Sequence, residues 1–185
     1  MPGIIIRDAV PADANFIAKT VLCAMGLAEF GLEHDDLSAF EHVCSREDTL
    51  YSYKNARIAA AGELPVGCLV SYPGELYEEA RDRTWNNLFT ETGFHLPEDP
   101  AAETVSGEYY LDSLAVVPEF RGHEIGKLLL KDGIEKGKRL GYRKIGLIVD
   151  SFHPKVRDYY ATLGFIPGDE MIFFGEPYTR MNLTV

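Results

Sequence analysis

Positive charge is scarce in this chain. There are 18 lysines and arginines against 29 aspartates and glutamates, a formal net charge of -11. Such a surface repels polyanions, so nucleic acid and anionic membrane are excluded as nonspecific partners. The same balance suits a cationic substrate, although many enzymes are simply acidic. Cysteine is also rare. Cys23, Cys44 and Cys68 are an odd, widely spaced set, which gives neither a disulfide framework nor a metal site and suits a reducing, cytoplasmic setting. Cys23 and Cys68 lie in apolar runs and are expected as core thiols. Long apolar runs are missing too: none approaches the roughly 20 residues that a membrane-spanning helix needs. The stretch Met1 to Phe16 lacks a basic region followed by a long apolar one, so no signal peptide is expected. What remains is an ordinary globular composition, 46% hydrophobic and 25% charged over 185 residues. That is enough chain for one core, and residues 1–185 are read as one domain.

Periodicity supplies the elements. Ile4 to Arg7 reads as a short β-branched strand. Pro11 opens a helix whose apolar positions are Ala14, Ile17, Ala18, Val21, Leu22 and Met25. Leu37, Phe40 and Val43 to Cys44 suggest a shorter second helix. Arg57 to Ala61 and Val66 to Tyr72 form a predicted hairpin about the turn Gly62-Glu63-Leu64-Pro65. Residues 75–106 are a variable segment, with one helix over Glu75 to Phe89 and then a loop rich in glycine, proline and acid from Gly93 to Ser106. It is read as a lid over a site or as a decorated connection. Glu108 to Val116 returns to strand, with Tyr110, Asp112, Leu114 and Val116 expected on one face. A helix follows over Glu124 to Leu140, with Ile125, Leu128, Leu129 and Ile134 on its apolar stripe and Gly141 as its C-cap. Then come a strand at Lys144 to Val149, a helix from Pro154 to Leu163, and strand-like runs at Phe165 to Ile166, Met171 to Phe174 and Tyr178 to Val185. The alternation predicts an α/β class built on a mixed sheet.

Chemistry concentrates in Leu111 to Gly126, LDSLAVVPEFRGHEIG. An apolar strand ends at Pro118, a turn follows with Arg121 and two glycines, and a long helix opens. The first N–H groups of a helix have no partner within it and sit at the positive end of its dipole, so such a turn is built to hold an anion. Gly122 allows positive φ and close approach, and Gly126 removes a side chain from the first helical turn. Arg121 can add a charge-assisted bond to a pyrophosphate. The spacing is neither a dinucleotide fingerprint nor a Walker loop. A plain turn and helix cap with packing glycines is the alternative.

This run resembles the cofactor motif of the GNAT superfamily of N-acetyltransferases: an arginine or glutamine, two variable residues, a glycine, a variable residue, then glycine or alanine. Arg121 and Gly126 match its ends, and Glu124 replaces the internal glycine. Further on, Tyr160 and Leu163-Gly164-Phe165 fall in register with the family's last helix, while His153 stands where an asparagine is usual. The likeness is loose over residues 4–72 and good over 108–185. It implies a single-domain acetyl-CoA N-acyltransferase fold, with a strongly twisted six- or seven-stranded mixed sheet flanked by helices and with splayed central parallel strands. It implies acetyl-CoA as acetyl donor, held by Leu114, Ala115 and Val116 through strand backbone and by Arg121, Gly122, His123, Glu124, Ile125, Gly126 and Lys127 in the turn. His123 is expected to face solvent, and Glu124 to point outward while its N–H serves.

The implied reaction is direct attack by an amine, a small molecule or a peptide amine. Tyr160 matches the family's tyrosine that protonates the departing thiolate, a task that suits a phenol with a pKa near 10. Asp112 is placed on the amine side, as base, as relay through water, or as an anchor for a cationic amine; a structural bond to a turn is the other role open to it. Tyr110 and Glu108 are its runners-up, and Trp85, Tyr77 and Glu75 could touch the acceptor. A regulatory domain that binds acyl-CoA without turnover and an unrelated α/β interaction module stay open as other classes, as does a homodimer.

Overall fold

The computed structural model describes residues 3–30, 35–93, 101–173 and 175–185. Seven strands form one mixed sheet: β1 (Ile4–Asp8), β2 (Ala56–Ala61), β3 (Leu64–Pro73), β4 (Tyr109–Val116), β5 (Lys144–Asp150), β6 (Ile166–Phe173) and β7 (Glu176–Thr184), in the order β1-β2-β3-β4-β5-β7-β6. Five helices flank it: α1 (Ala14–Ala24), α2 (Leu37–Ser45), α3 (Tyr77–Thr92), α4 (Ile125–Arg139) and α5 (Pro154–Thr162). The central pair β4–β5 is parallel and the other neighbours are antiparallel.

Two apolar clusters hold the helices to the sheet. One gathers Ile17, Val21, Phe40, Val43, Trp85 and Leu88 from α1, α2 and α3 over Ile58, Val70 and Tyr110. The other sets Ile125, Leu129, Leu130 and Ile134 of α4 against Leu69, Leu111 and Ile145. Gly133 and Gly137 let α4 sit close. A Cβ on Gly137 would stand 2.7 Å from Ile145 Cδ1, and one on Gly133 would stand 2.6 Å from Leu69 Cδ2.

Several boundaries differ from the sequence reading. The β2–β3 turn is only Gly62-Glu63, and Leu64 and Pro65 already belong to β3. Pro65 is tolerated because it lies past the stretch of β3 that pairs with β4, beside a register shift at Ala59/Ala60. Leu128 is 44% exposed and Leu130 takes its place on the buried stripe of α4. Cys23 is only partly buried, whereas Cys44 and Cys68 are core thiols. The two runs expected after α5 are one strand, β6, carrying a register shift between Pro167 and Glu170; Phe174 lies outside the described residues. In the variable segment, α3 packs into the α1–α2 core through Tyr77, Thr84, Trp85 and Leu88, so that helix is part of the scaffold and not a lid. Of the loop expected after it, 94–100 lies outside the described residues.

Candidate active site

The site starts where β4 and β5 part. The two strands pair only at Tyr109↔Ile145 and Tyr110↔Gly146. Beyond those residues they diverge, which leaves β4 from Leu111 onward without its parallel partner. Glu108 anchors the closed end. It is fully buried, accepts from Arg180 Nη1 at 3.2 Å and from Thr104 Oγ1 at 2.8 Å, and pairs with Lys144 at 3.1 Å. Held by two cations, it serves the sheet and is not a free base.

At the mouth of the gap, β4 carries a bulge. Val70 opposes Ser113 and Ser71 opposes Leu111, so Asp112 is an extra residue in the ladder. The bulge breaks the expected alternation. Tyr110 packs with the α1–α3 cluster, whereas Leu111, Leu114 and Val116 pack with α4. The expectation that Tyr110, Asp112, Leu114 and Val116 share a face therefore fails, because one inserted residue flips everything after it.

Asp112 is held on the α1 side of the sheet. Ser113 Oγ donates to its Oδ1 at 2.6 Å and the Tyr72 hydroxyl donates to its Oδ2. Burial raises its pKa, while the Ser113 and Tyr72 bonds pull the other way. A second carboxylate lies beside it. Glu103 accepts from the Tyr110 hydroxyl at 2.9 Å and from the Tyr77 hydroxyl at 3.3 Å. Burial first, and the Asp112 charge second, push its pKa up to about 8, with the tyrosine bonds and the Arg180 charge opposing. Both residues are half-buried, and two like charges side by side resist ionising together, so the pair titrates as a unit. Among the described residues neither carboxylate has a lysine or arginine at ion-pair distance.

Tyr160 faces the same region from α5. Asp112, Leu114 and Tyr160 line one cleft of about 360 Å³ together with Cys23, Asp150, His153 and Tyr178. The Tyr160 ring packs edge-on against Phe165, centroids 5.8 Å apart. Burial, with Tyr159 nearby, raises its phenol to about 12, so it stays protonated at neutral pH. His153 rings off the start of α5 by pairing with Asp150 at 2.9 Å.

The anion turn lies at the other end of the gap. Val117 to Arg121 closes two backbone bonds, Phe120 to Val117 and Arg121 to Pro118. From Gly122 to Lys127 no N–H makes a backbone bond among the described residues; the next is Leu128 to Glu124 at 3.0 Å. Gly122 has φ +80° and Glu124 φ +58°, the one non-glycine with positive φ among the described residues. Left-handed turns of this kind point successive N–H groups into one concavity. A cleft of about 350 Å³ is lined there by Val116, Arg121, Gly122, Ile125, Gly126 and Lys127, with Tyr159 and Thr162 opposite. Arg121 Nε is tied to Val116 O at 3.1 Å, which leaves its terminal nitrogens free to reach an anion. Glu124 also lines this cleft; its side chain is 72% exposed and pairs with Lys127 at 2.9 Å, which lowers its pKa and offsets its charge. His123 is exposed. Ile125 is buried beneath the turn, and Ala115 is buried in β4 opposite Cys68.

The unpaired N–H run, the arginine and the glycines fit a diphosphate, and the open edge of β4 fits an extended amide-bearing arm. Sequence reading missed Glu103, Tyr72 and Tyr178. Glu103 sits in a polar loop with no period to mark it. Tyr72 shares a face of β3 with Val70 and looked like plain core. Of the runners-up to Asp112, Tyr110 donates to Glu103 and Glu108 is tied to Arg180 and Lys144; of the residues expected to touch the acceptor, Trp85 is core, Tyr77 donates to Glu103, and Glu75 is an exposed acceptor for Tyr142 and Gly107 N–H.

Comparison with known proteins agrees with this architecture. A crystal structure of an acetyltransferase superposes with a TM-score of 0.77 at 26% identity, covering 98% of this chain and 99% of that one. An N-acetyltransferase from Staphylococcus aureus Mu50 superposes at 0.76 with 24% identity, over 97% and 100%. The NatC complex bound to Gag peptide and CoA has a chain that superposes at 0.59 with 18% identity, over 98% of each, and shows the fold alone. Comparison with curated proteins gave no significant match. The Acetyltransferase (GNAT) family matches residues 33–165. With well over half of its length matched, the chain belongs to the GNAT acetyltransferase family.

Proposed function

We propose that the protein transfers the acetyl group of acetyl-CoA directly to an amine. One observation carries the reading: β4 parts from β5 after two paired positions, and the freed end of β4 reaches both the cleft of the unpaired N–H turn, through Val116, and the cleft of Tyr160, through Asp112 and Leu114. The likeness to a chain solved with CoA supports the choice of donor.

Bound there, acetyl-CoA would supply an acyl thioester. The turn from Arg121 to Lys127 holds the diphosphate through backbone N–H groups and the Arg121 guanidinium. The open backbone of Leu114 to Val116 orders the arm, and an N–H near Leu114 or Ala115 is the donor for the developing oxyanion. An amine attacks only when neutral, so an ammonium must first lose a proton. The Glu103–Asp112 pair takes it at a carboxylate oxygen and returns it to solvent. A carboxyl near pKa 8 is a far better base than an ordinary one. Tyr160 gives the proton on its Oη to the departing sulfur as the carbon–sulfur bond breaks, and it is re-protonated from the nitrogen that has gained the acetyl group. In this reading Asp112 and Glu103 share the amine-side role.

Thiol release from acetyl-CoA, followed with a panel of amines, tests this. Amine-dependent release with a matching acetylamide supports the reading. Tight acetyl-CoA binding with no release by any amine would make the domain an acyl-CoA sensor.

A further inference from the structure

The Glu103–Asp112 pair forms the wall of a second, smaller cavity of about 90 Å³. Tyr51, Met25, Phe173 and Tyr178 complete it. It adjoins the cleft of Tyr160, with Met25, Asp112, Ile148 and Tyr178 in the wall of both. Whatever fills it therefore lies beside Asp112 and opens toward the cleft that Tyr160 lines.

Three properties of this cavity select a ligand. The first is charge. Both oxygens of Glu103, and both of Asp112, accept from hydroxyls of the surrounding tyrosines and Ser113. Two carboxyls this close resist ionising together and hold a proton between them, and the one negative charge that remains meets only hydroxyls at hydrogen-bond distance, so a cation is favoured there. Each carboxylate oxygen keeps a further acceptor site. The second is the aromatic wall. Tyr51 is buried, and Phe173 meets Tyr178 edge to face with centroids 6.0 Å apart. Aromatic rings attract ammonium ions and pack well on methylenes. The third is size. The cavity, about 90 Å³, is a quarter of the adjoining cleft of about 360 Å³, so it takes an ammonium and the start of its stem while the rest of the stem lies in the cleft.

We propose that the acceptor presents a primary ammonium at the end of an unbranched aliphatic stem, with no carboxylate near the nitrogen, seated between Glu103, Asp112 and the rings of Tyr51, Phe173 and Tyr178. The proposal rests on the acetyltransferase reading for what happens next, but the binding step stands by itself. A free α-amino acid is disfavoured because its carboxylate would face Glu103 and Asp112. Asp150 on the outer cleft adds a third like charge against it. A free alkylamine or diamine and the side chain of a peptide lysine share the selected chemistry.

Calorimetric titration without acetyl-CoA tests the proposal. The probes are butylamine, 1,4-diaminobutane and Nα-acetyl-lysine amide, against alanine, alaninamide and butanol. The aminoalkyl probes should bind, and the three controls should bind at least about tenfold more weakly, the scale of one charge-assisted bond. Stronger binding of 1,4-diaminobutane would assign a free amine, and stronger binding of the lysine derivative a protein side chain; either supports the class. Glu103→Gln should weaken the aminoalkyl probes at least about tenfold while acetyl-CoA affinity is kept, and Tyr178→Leu is a second variant at the rim should the first misfold. Equal binding of alanine and butylamine, or full amine affinity in folded Glu103→Gln, would overturn it. A protein that binds these amines yet releases no thiol refutes the transferase reading and not this one. One that acetylates free amino acids best refutes this one alone.

Discussion

Replacing Glu103 by glutamine should flatten the dependence of stability on pH. In the unfolded chain this carboxyl titrates near 4.5, and in the folded protein near 8. The folded state therefore holds the proton more tightly. The group's contribution is complete below about 4.5 and is lost as pH rises toward 8, because ionising it in place means burying a second charge beside Asp112. The slope cannot exceed about 1.4 kcal/mol per pH unit for one proton. Between about pH 5.5 and about pH 7.5 the ceiling is thus about 3 kcal/mol. The Tyr77 and Tyr110 bonds and the Arg180 charge favour the ionised form and are already contained in the folded value of about 8. Urea unfolding of both proteins at the two pH values, without ligand, measures it. The wild type should lose stability relative to Glu103→Gln across that range. Parallel losses would show that Glu103 titrates like an ordinary surface acid and would remove the reason for calling it a base.

Three further expectations follow from the same geometry. Arg121→Ala should weaken acetyl-CoA binding by about 1–3 kcal/mol by calorimetry, the loss of a charge-assisted bond; unchanged affinity in a folded variant would count against the turn. Tyr160→Phe should keep the fold and the acetyl-CoA Kd while kcat falls about 100-fold or more, within the range for a lost general acid; full turnover would reduce Tyr160 to packing against Phe165. Gly137→Ala should destabilise the protein by about 1–3 kcal/mol in denaturant, since the new methyl would stand 2.7 Å from Ile145 and 2.9 Å from Tyr109 at the closed end of the splay; an unchanged midpoint would mean that α4 can shift freely off the sheet.

The parts that were legible in the sequence are those that obey a period or a fixed spacing. The strands beside the hairpin, the α4 stripe and the Arg121 to Gly126 turn can be read from alternation, helical recurrence and glycine placement. Asp112 could be singled out as a charge in an apolar strand. Its real orientation could not, because the bulge that carries it depends on pairing with Val70 and Ser71, residues more than 40 positions earlier. Glu103 was illegible for the same reason. Nothing local distinguishes it from the other acids of its loop; only the closing of that loop over Tyr77 and Tyr110 buries it against Asp112. The splay itself was expected from the family likeness alone, since pairing of β4 with β5 at just two positions has no signature within either strand.

Direct transfer is the central claim, and Cys23 offers the way to challenge it. Its thiol is partly exposed and lines the cleft with Asp112 and Tyr160, where an acyl-enzyme would form if the reaction went in two steps. Intact-protein mass spectrometry after incubation with acetyl-CoA, with and without butylamine, separates the two routes. The account predicts an unmodified protein in both samples and N-acetylbutylamine, with an equal amount of free CoA, only in the second. An acetyl group found on Cys23 in the first sample and discharged by the amine in the second would contradict it.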